Sequence, residues 1–150
     1  MTWTPPDPDF AERVRASFAR QEVMRTLGIE LIEVGPGGVT LAMAAAPRLT
    51  QQHGFVHAGV MSTAMDSACG YAAFSLMPRE AEVLTIEFKV NLLAPAKGRS
   101  FRFTGLVLRP GRTITVCEGR AFAIDDAGER LVATMTGTLM ALTGRPGFGQ

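Results

Sequence analysis

Two histidines, one isolated carboxylate and a few small residues form the stretch of this chain best equipped for chemistry. Gln51-Gln52-His53-Gly54-Phe55-Val56-His57-Ala58-Gly59-Val60 is a polar, glycine-containing loop that holds both histidines. It runs into a segment of small and apolar residues in which Asp66 is the one charged side chain before Arg79. A helix that starts near His57 presents unpaired backbone N–H groups and a partial positive charge in its first turn. Such a terminus binds phosphate, or the oxyanion that develops on a carbonyl under attack. Gly54 and Gly59 let a ligand or another backbone come close. A helix with no charged face is expected to be buried, and a carboxylate inside it then needs a reason to be there.

The spacing carries its own argument. Asp66 lies nine residues beyond His57, about 13–14 Å along a helix axis and roughly half a turn away in direction. One chain does not easily bring its helix N-terminus and its Asp66 onto the same carbonyl. Two chains do, if their helices pack antiparallel across a two-fold axis. His57 has two readings, a helix cap or a member of the site, and His53 reads as structural. Gln51 and Gln52, taken alone, are loop glutamines. Ser67 points away from Asp66 on a helix, so no Ser-His-acid triad is composed here. Gly35-Pro36-Gly37-Gly38 joins two strands and is not a nucleotide-binding loop.

The elements that position these groups follow from the pattern. After Pro5, Pro6 and Pro8, a helix capped by Asp7 or Asp9 runs to about Gln21, with Phe10, Val14 and Phe18 on one face; Val23, Met24 and Leu27 extend it to Gly28. Ile29–Val34 and Val39–Met43 form a hairpin about the glycine turn, ended by Pro47. After the apolar helix and the break at Met77-Pro78, alternation puts Ile86, Phe88, Val90 and Leu92 on a buried strand face, with Thr85, Glu87, Lys89 and Asn91 opposite. Three more strands follow: Ser100–Leu108, with a bulge at Gly105 returning Leu106 and Leu108 to the face of Phe101 and Phe103; Thr113–Ile124; and Leu131–Leu142. Short turns make them antiparallel. One apolar helix and one antiparallel sheet satisfy each other when the sheet wraps the helix. Gly144–Gln150 reads as a frayed tail.

Length and composition agree with this. A chain of 150 residues, 47% hydrophobic and 19% charged, suits one globular domain. A net charge of +1 argues against a general nucleic-acid or anionic-membrane binder. Cys69 and Cys117 sit in apolar segments and read as buried thiols with no metal-ligand spacing. The N-terminus has no signal-peptide pattern, and the apolar segment is too rich in small polar residues for a transmembrane span, so a cytoplasmic location is expected.

Taken together, Gln51-x-x-Gly54-x-x-His57-Ala58-Gly59 with Asp66, and Thr85-x-Glu87-x-Lys89-Val90-Asn91-Leu92-Leu93-Ala94-Pro95-Ala96-x-Gly98, resemble the hotdog-fold thioesterases of the phenylacetate-pathway (PaaI-like) group. The resemblance runs from about Leu27 to Leu142. It implies an α+β hotdog fold over residues 1–150, a long central helix wrapped by about six antiparallel strands, with residues 1–26 as a helical extension and 143–150 as a flexible tail. It implies hydrolysis of acyl-coenzyme A thioesters, at sites shared by two subunits of a homodimer that often pairs into a tetramer, with no cofactor besides the coenzyme A of the substrate. By position, Asp66 matches the catalytic carboxylate, a general base or nucleophile. The residue after His57, here Ala58 where the family usually has Gly, matches the backbone N–H that polarises the carbonyl, beside Gly59. Gln51 matches a polar position near the thioester and Thr85 one that holds the attacking water. Lys97, Arg99, Arg109 and Arg112, at or beside turns, are candidates for the CoA phosphates. Phe55, Tyr71, Phe74 and Met77 are either pocket wall or core. Two other activities fit the same fold: acyl-CoA or lipid binding without turnover, and acyl-thioester dehydration.

Overall fold

The computed structural model describes residues 3–144. Its elements are α1 (Phe10–Ala19), α2 (Glu22–Leu27), β1 (Ile29–Gly35), β2 (Gly38–Ala44), a 3-10 turn at Pro47–Leu49, α3 (Ala58–Phe74), β3 (Glu82–Leu92), β4 (Ser100–Arg109), β5 (Ile114–Asp125) and β6 (Gly128–Leu142). The strands form one antiparallel sheet in the order β1-β2-β4-β5-β6-β3. α3 packs across its concave face against every strand. Met61, Met65, Phe101, Phe103, Leu41 and Met135 fill the space between. This is the wrapped-helix architecture expected from the sequence; residues 145–150 of the expected tail lie outside the described residues.

Several expectations change. The first helix ends at Ala19, and a separate short helix follows, capped by Gly28 in the left-handed region (φ 71°). Asp9 occupies the N-cap position of α1 without a side-chain cap bond. Asp7 is buried instead, and accepts from Arg13 (2.8 Å), Arg79 (3.0 Å) and the Asp9 N–H (3.1 Å). Arg13 also donates to the carbonyls of Phe74 and Met77 and stacks on the Phe74 ring, so this ionic cluster fastens α1 to the C-terminal end of α3.

The bulge is not at Gly105. Phe101, Phe103, Gly105 and Val107 keep strict alternation toward α3, and Leu106 and Leu108 face outward, half exposed. Gly105 is there because α3 touches the sheet at that point. A Cβ would lie 2.2 Å from the Ala68 carbonyl, and no neighbour in a helix backbone can yield that much.

β4 shifts register later, between Val107 and Arg109, and β3 has a bulge of its own. Thr85 pairs with Leu139 and Glu87 with Thr138, so Ile86 is an extra residue. The bulge flips the parity of the strand. Thr85 therefore shares the α3-facing side with Phe88, Val90 and Leu92, whereas simple alternation puts it opposite. The apolar side of β3 is also not covered within one chain: Phe88 is 45% and Leu92 59% exposed.

Candidate active site

The loop before α3 is a closed turn. Gln51 N–H donates to the Phe55 carbonyl (2.8 Å), Gly54 N–H to the Gln51 carbonyl (3.0 Å), and Gly54 takes φ 81°. Val56 N–H donates to the Ala96 carbonyl (3.0 Å) and His57 N–H to the Leu49 carbonyl (2.9 Å), which ties the start of α3 to the β3–β4 connection and to the 3-10 turn. His57 is the N-cap: its Nδ1 accepts the Gly59 N–H at 2.8 Å. That bond requires Nδ1 without a proton, so the neutral ring carries its proton on Nε2. The ring lies 3.0 Å from where a Cβ on residue 59 would stand, which is why glycine follows Ala58.

The first turn then has one donor left over. Val60 and Met61 N–H groups turn back to the His57 carbonyl and the Gly59 N–H is held by the ring. The Ala58 N–H, at the first helical position, has no acceptor among the described residues. Among the described residues only glycines have positive φ, so Ala58 sits in the helical region without strain, and the replacement of a family glycine leaves the donor intact. Beside it opens a cavity of about 540 Å³, bounded by Gln51, Phe55, His57, Met61, Leu92 and Leu93 among others. Its walls are mostly apolar, with the helix terminus as the polar feature. The Gln51 side-chain oxygen Oε1 accepts the His53 N–H, so its side-chain NH₂ remains to donate.

Asp66 stands in a different cavity of the same chain, about 290 Å³, with Thr85 on one wall and Ser17, Gln21 and Tyr71 on others. The two cavities have no residue in common. The Thr85 hydroxyl donates to Asp66 Oδ1 at 2.8 Å, a contact that the β3 bulge makes possible. Partial burial pushes the Asp66 carboxyl above the ordinary carboxylate range, against the opposing effect of the Thr85 hydrogen bond. Oδ2 is left for another proton donor.

The remaining candidates separate. Lys97 follows Ala96 at the edge of the larger cavity, and Arg99 pairs with Asp126 at 2.5 Å on the surface nearby. Arg109 and Arg112 flank the β4–β5 turn, at the other end of a ten-residue strand and so about 30 Å away. Within one chain the four cations do not form one patch. Phe55 and Tyr71 line cavities, while Phe74 and Met77 are core. The thiols are not nucleophiles: burial raises both, Cys117 to about 12. Pattern reading missed Gln21 and Ser17, because no helical periodicity marks a polar residue that faces a distant cavity. Among the described residues no group of three or more His, Cys, Asp or Glu could hold a metal ion, and no helix is long and apolar enough to cross a membrane.

The thioesterase superfamily model matches residues 53–129, from His53 in the loop to the start of β6. A thioesterase family protein from Silicibacter pomeroyi is 59% identical, with a TM-score of 0.89 over 90% of this chain and 99% of that one. The E. coli PaaI protein of the phenylacetic acid degradation operon shares the fold, with a TM-score of 0.80 over 91% of this chain and 95% of that one, at 18% identity. A Halobacterium salinarum protein that carries a provisional esterase name is 30% identical over 73% of this chain and 76% of its own length.

Proposed function

The chain belongs to the thioesterase superfamily and is a thioester hydrolase, and from that premise we propose that it hydrolyses acyl-coenzyme A to the free acid and CoA at sites shared by two protomers. One observation carries this reading: the unpaired Ala58 N–H and the Asp66–Thr85 pair occupy separate cavities of one chain.

The surface that would join them is on the chain. Of the two sheet edges, β1 is short and presents Glu30 and Glu33, which discourages pairing. β3 is eleven residues long and leaves Ile86, Phe88 and Leu92 exposed. Beside it, α3 turns Gly59, Thr63 and Asp66 outward, a stripe small enough for a second helix to pack closely. A two-fold that pairs β3 edges and sets α3 against its copy brings Ala58 of each chain toward Asp66 of the other.

In that arrangement the thioester carbonyl oxygen accepts the Ala58 N–H. Asp66, held through Oδ1 by Thr85, uses Oδ2 to take a proton from water as the water attacks the carbonyl carbon. The oxyanion is stabilised at the helix terminus, the C–S bond breaks, and the CoA sulfur leaves with the proton that Asp66 had taken. A carboxyl raised above its ordinary range is a stronger base at neutral pH than an unperturbed one. His57 is a positioning residue here, since its cap sets the first turn. Gln51 donates near the thioester, and Lys97 lies where the pantetheine arm would emerge. Release of CoA from aryl and aliphatic acyl-CoA thioesters tests the reading. Asp66→Asn is expected to lower kcat by about 10²–10⁴-fold. A wild type inert on every thioester, or an unimpaired Asp66→Asn, would sink it.

A further inference from the structure

The α1 helix lies outside the segment that matches the family model, yet it forms one wall of the cavity at Asp66. Ser17 and Tyr71 hydroxyls meet at 3.3 Å, and the Ser67 hydroxyl donates to Gln21 Oε1 at 3.2 Å. Phe18 packs edge-on against Tyr71, and the buried Asp7–Arg13 pair fixes α1 to the end of α3. The floor is Gly70, one helical turn beyond Asp66 on the same face; a Cβ there meets nothing within 4 Å, so the space above it is free.

We propose that α1 closes the acyl pocket, and that Ser17 and Gln21 make it a site for compact acyl groups and against long aliphatic chains. The inference rests on the thioesterase reading of Asp66. If the pantetheine arm lies in the larger apolar cavity, whose edge carries Lys97, the acyl group has the Asp66 cavity left to it. That cavity measures about 290 Å³, room for roughly ten non-hydrogen atoms at ~30 Å³ each, the share of a water in the liquid. A chain of twelve or more carbons exceeds that volume while α1 is in place. The lining also withholds the usual reward for length. An apolar tunnel gains about 4-fold in affinity for each methylene buried; walls of Ser17, Gln21, the Tyr71 hydroxyl, Arg20 and Glu82 forfeit most of that. Arg20, Glu82 and Asp66 leave the pocket with one net negative charge, so neutral acyl groups are favoured over those ending in a carboxylate.

The test is kcat/KM by CoA release for the full chain across saturated acyl groups from two to sixteen carbons, with a compact aryl-acyl thioester and a carboxylate-ended acyl thioester beside them. Wild type is expected to peak at or below about eight carbons, to accept the aryl group and to reject the carboxylate. Ser17→Ala/Gln21→Ala, which opens the wall, should raise the ratio of long-chain to short-chain kcat/KM by about tenfold or more, and Gly70→Ala, whose methyl enters free space, should move the peak to shorter chains. Thermal melts and size-exclusion of each variant separate these shifts from misfolding or loss of the dimer. A long-chain optimum in wild type, or one preference unchanged in both folded variants, overturns this inference and leaves the thioesterase reading standing. Hydrolysis of no thioester at all removes both.

Discussion

Ala58→Pro isolates the proposed oxyanion donor from the fold that presents it. Ala58 is the first residue of α3, the helical position that proline favours, because its N–H has no intrahelical partner. His57 before it has φ −61° and ψ 140°, the extended conformation that a following proline requires. The cap from Gly59 N–H to His57 Nδ1 does not involve residue 58. The substitution thus deletes one N–H and leaves the turn, and unfolding free energy should change by no more than about 0.5 kcal/mol. Loss of one oxyanion donor costs about 10²–10³-fold in kcat, some 2.7–4 kcal/mol, with little change in KM. Mixing carries the test further. Ala58→Pro and Asp66→Asn chains are each nearly inactive as homodimers. Co-refolded at equal amounts, half of the dimers combine them, and each mixed dimer has one intact site of two, so about a quarter of wild-type activity returns. A folded Ala58→Pro protein with kcat within threefold of wild type refutes the donor assignment. No recovery in a mixture shown by native mass spectrometry to contain mixed dimers refutes the shared site.

Three further outcomes follow from the same geometry. Thr85→Val removes a hydrogen bond that favours the charged form of Asp66, so the carboxyl holds its proton to higher pH; because the proposed attack needs the carboxylate, the acid limb of the kcat/KM profile should move to higher pH, which a pH series of CoA release measures. Phe88→Asp places a charge on the exposed face of β3 and should turn the proposed dimer into monomers on size-exclusion, with loss of activity in step, whereas Leu108→Asp, on the outer face of β4, should not. Arg13→Ala leaves buried Asp7 with Arg79 alone and should lower Tm by roughly 5 °C or more. Burial opposes the Asp7 charge, but the Asp9 N–H, Arg79 and Arg13 outweigh it and hold the carboxyl below its ordinary range; a depressed folded value means this contribution is fully present above the unfolded value and is lost only as pH falls through the folded one, so wild type and variant melts should converge in strong acid.

What the sequence revealed and what it hid divide along a physical line. α3 was legible because its seventeen residues carry Asp66 as their one charge and have one place to go, and the strands because turn residues bound them. Within β3, alternation alone assigned Thr85 to the wrong side, since a bulge costs one residue and leaves no mark in a hydrophobic pattern; the partner strand had to be present to reveal that Ile86 is unpaired. The same strand misled in a second way. Ile86, Phe88, Val90 and Leu92 announce burial, but periodicity says only that a face avoids water and never whose surface covers it. Gly105 failed for the opposite reason: a missing side chain reads as a break in the pattern, when it records the closest approach of α3 to the sheet. These errors are informative together. The β3 side that one chain leaves exposed is the side that carries Thr85 to Asp66, and the donor that would complete their site is the one N–H in the first turn of α3 left without an acceptor among the described residues. An enzyme that kept both halves within a protomer would need neither the apolar edge nor the small-residue stripe beside it. Their presence next to Asp66 argues that catalysis and association use one surface, so variants that separate the protomers without touching a site residue should lose activity in proportion to the dimer lost.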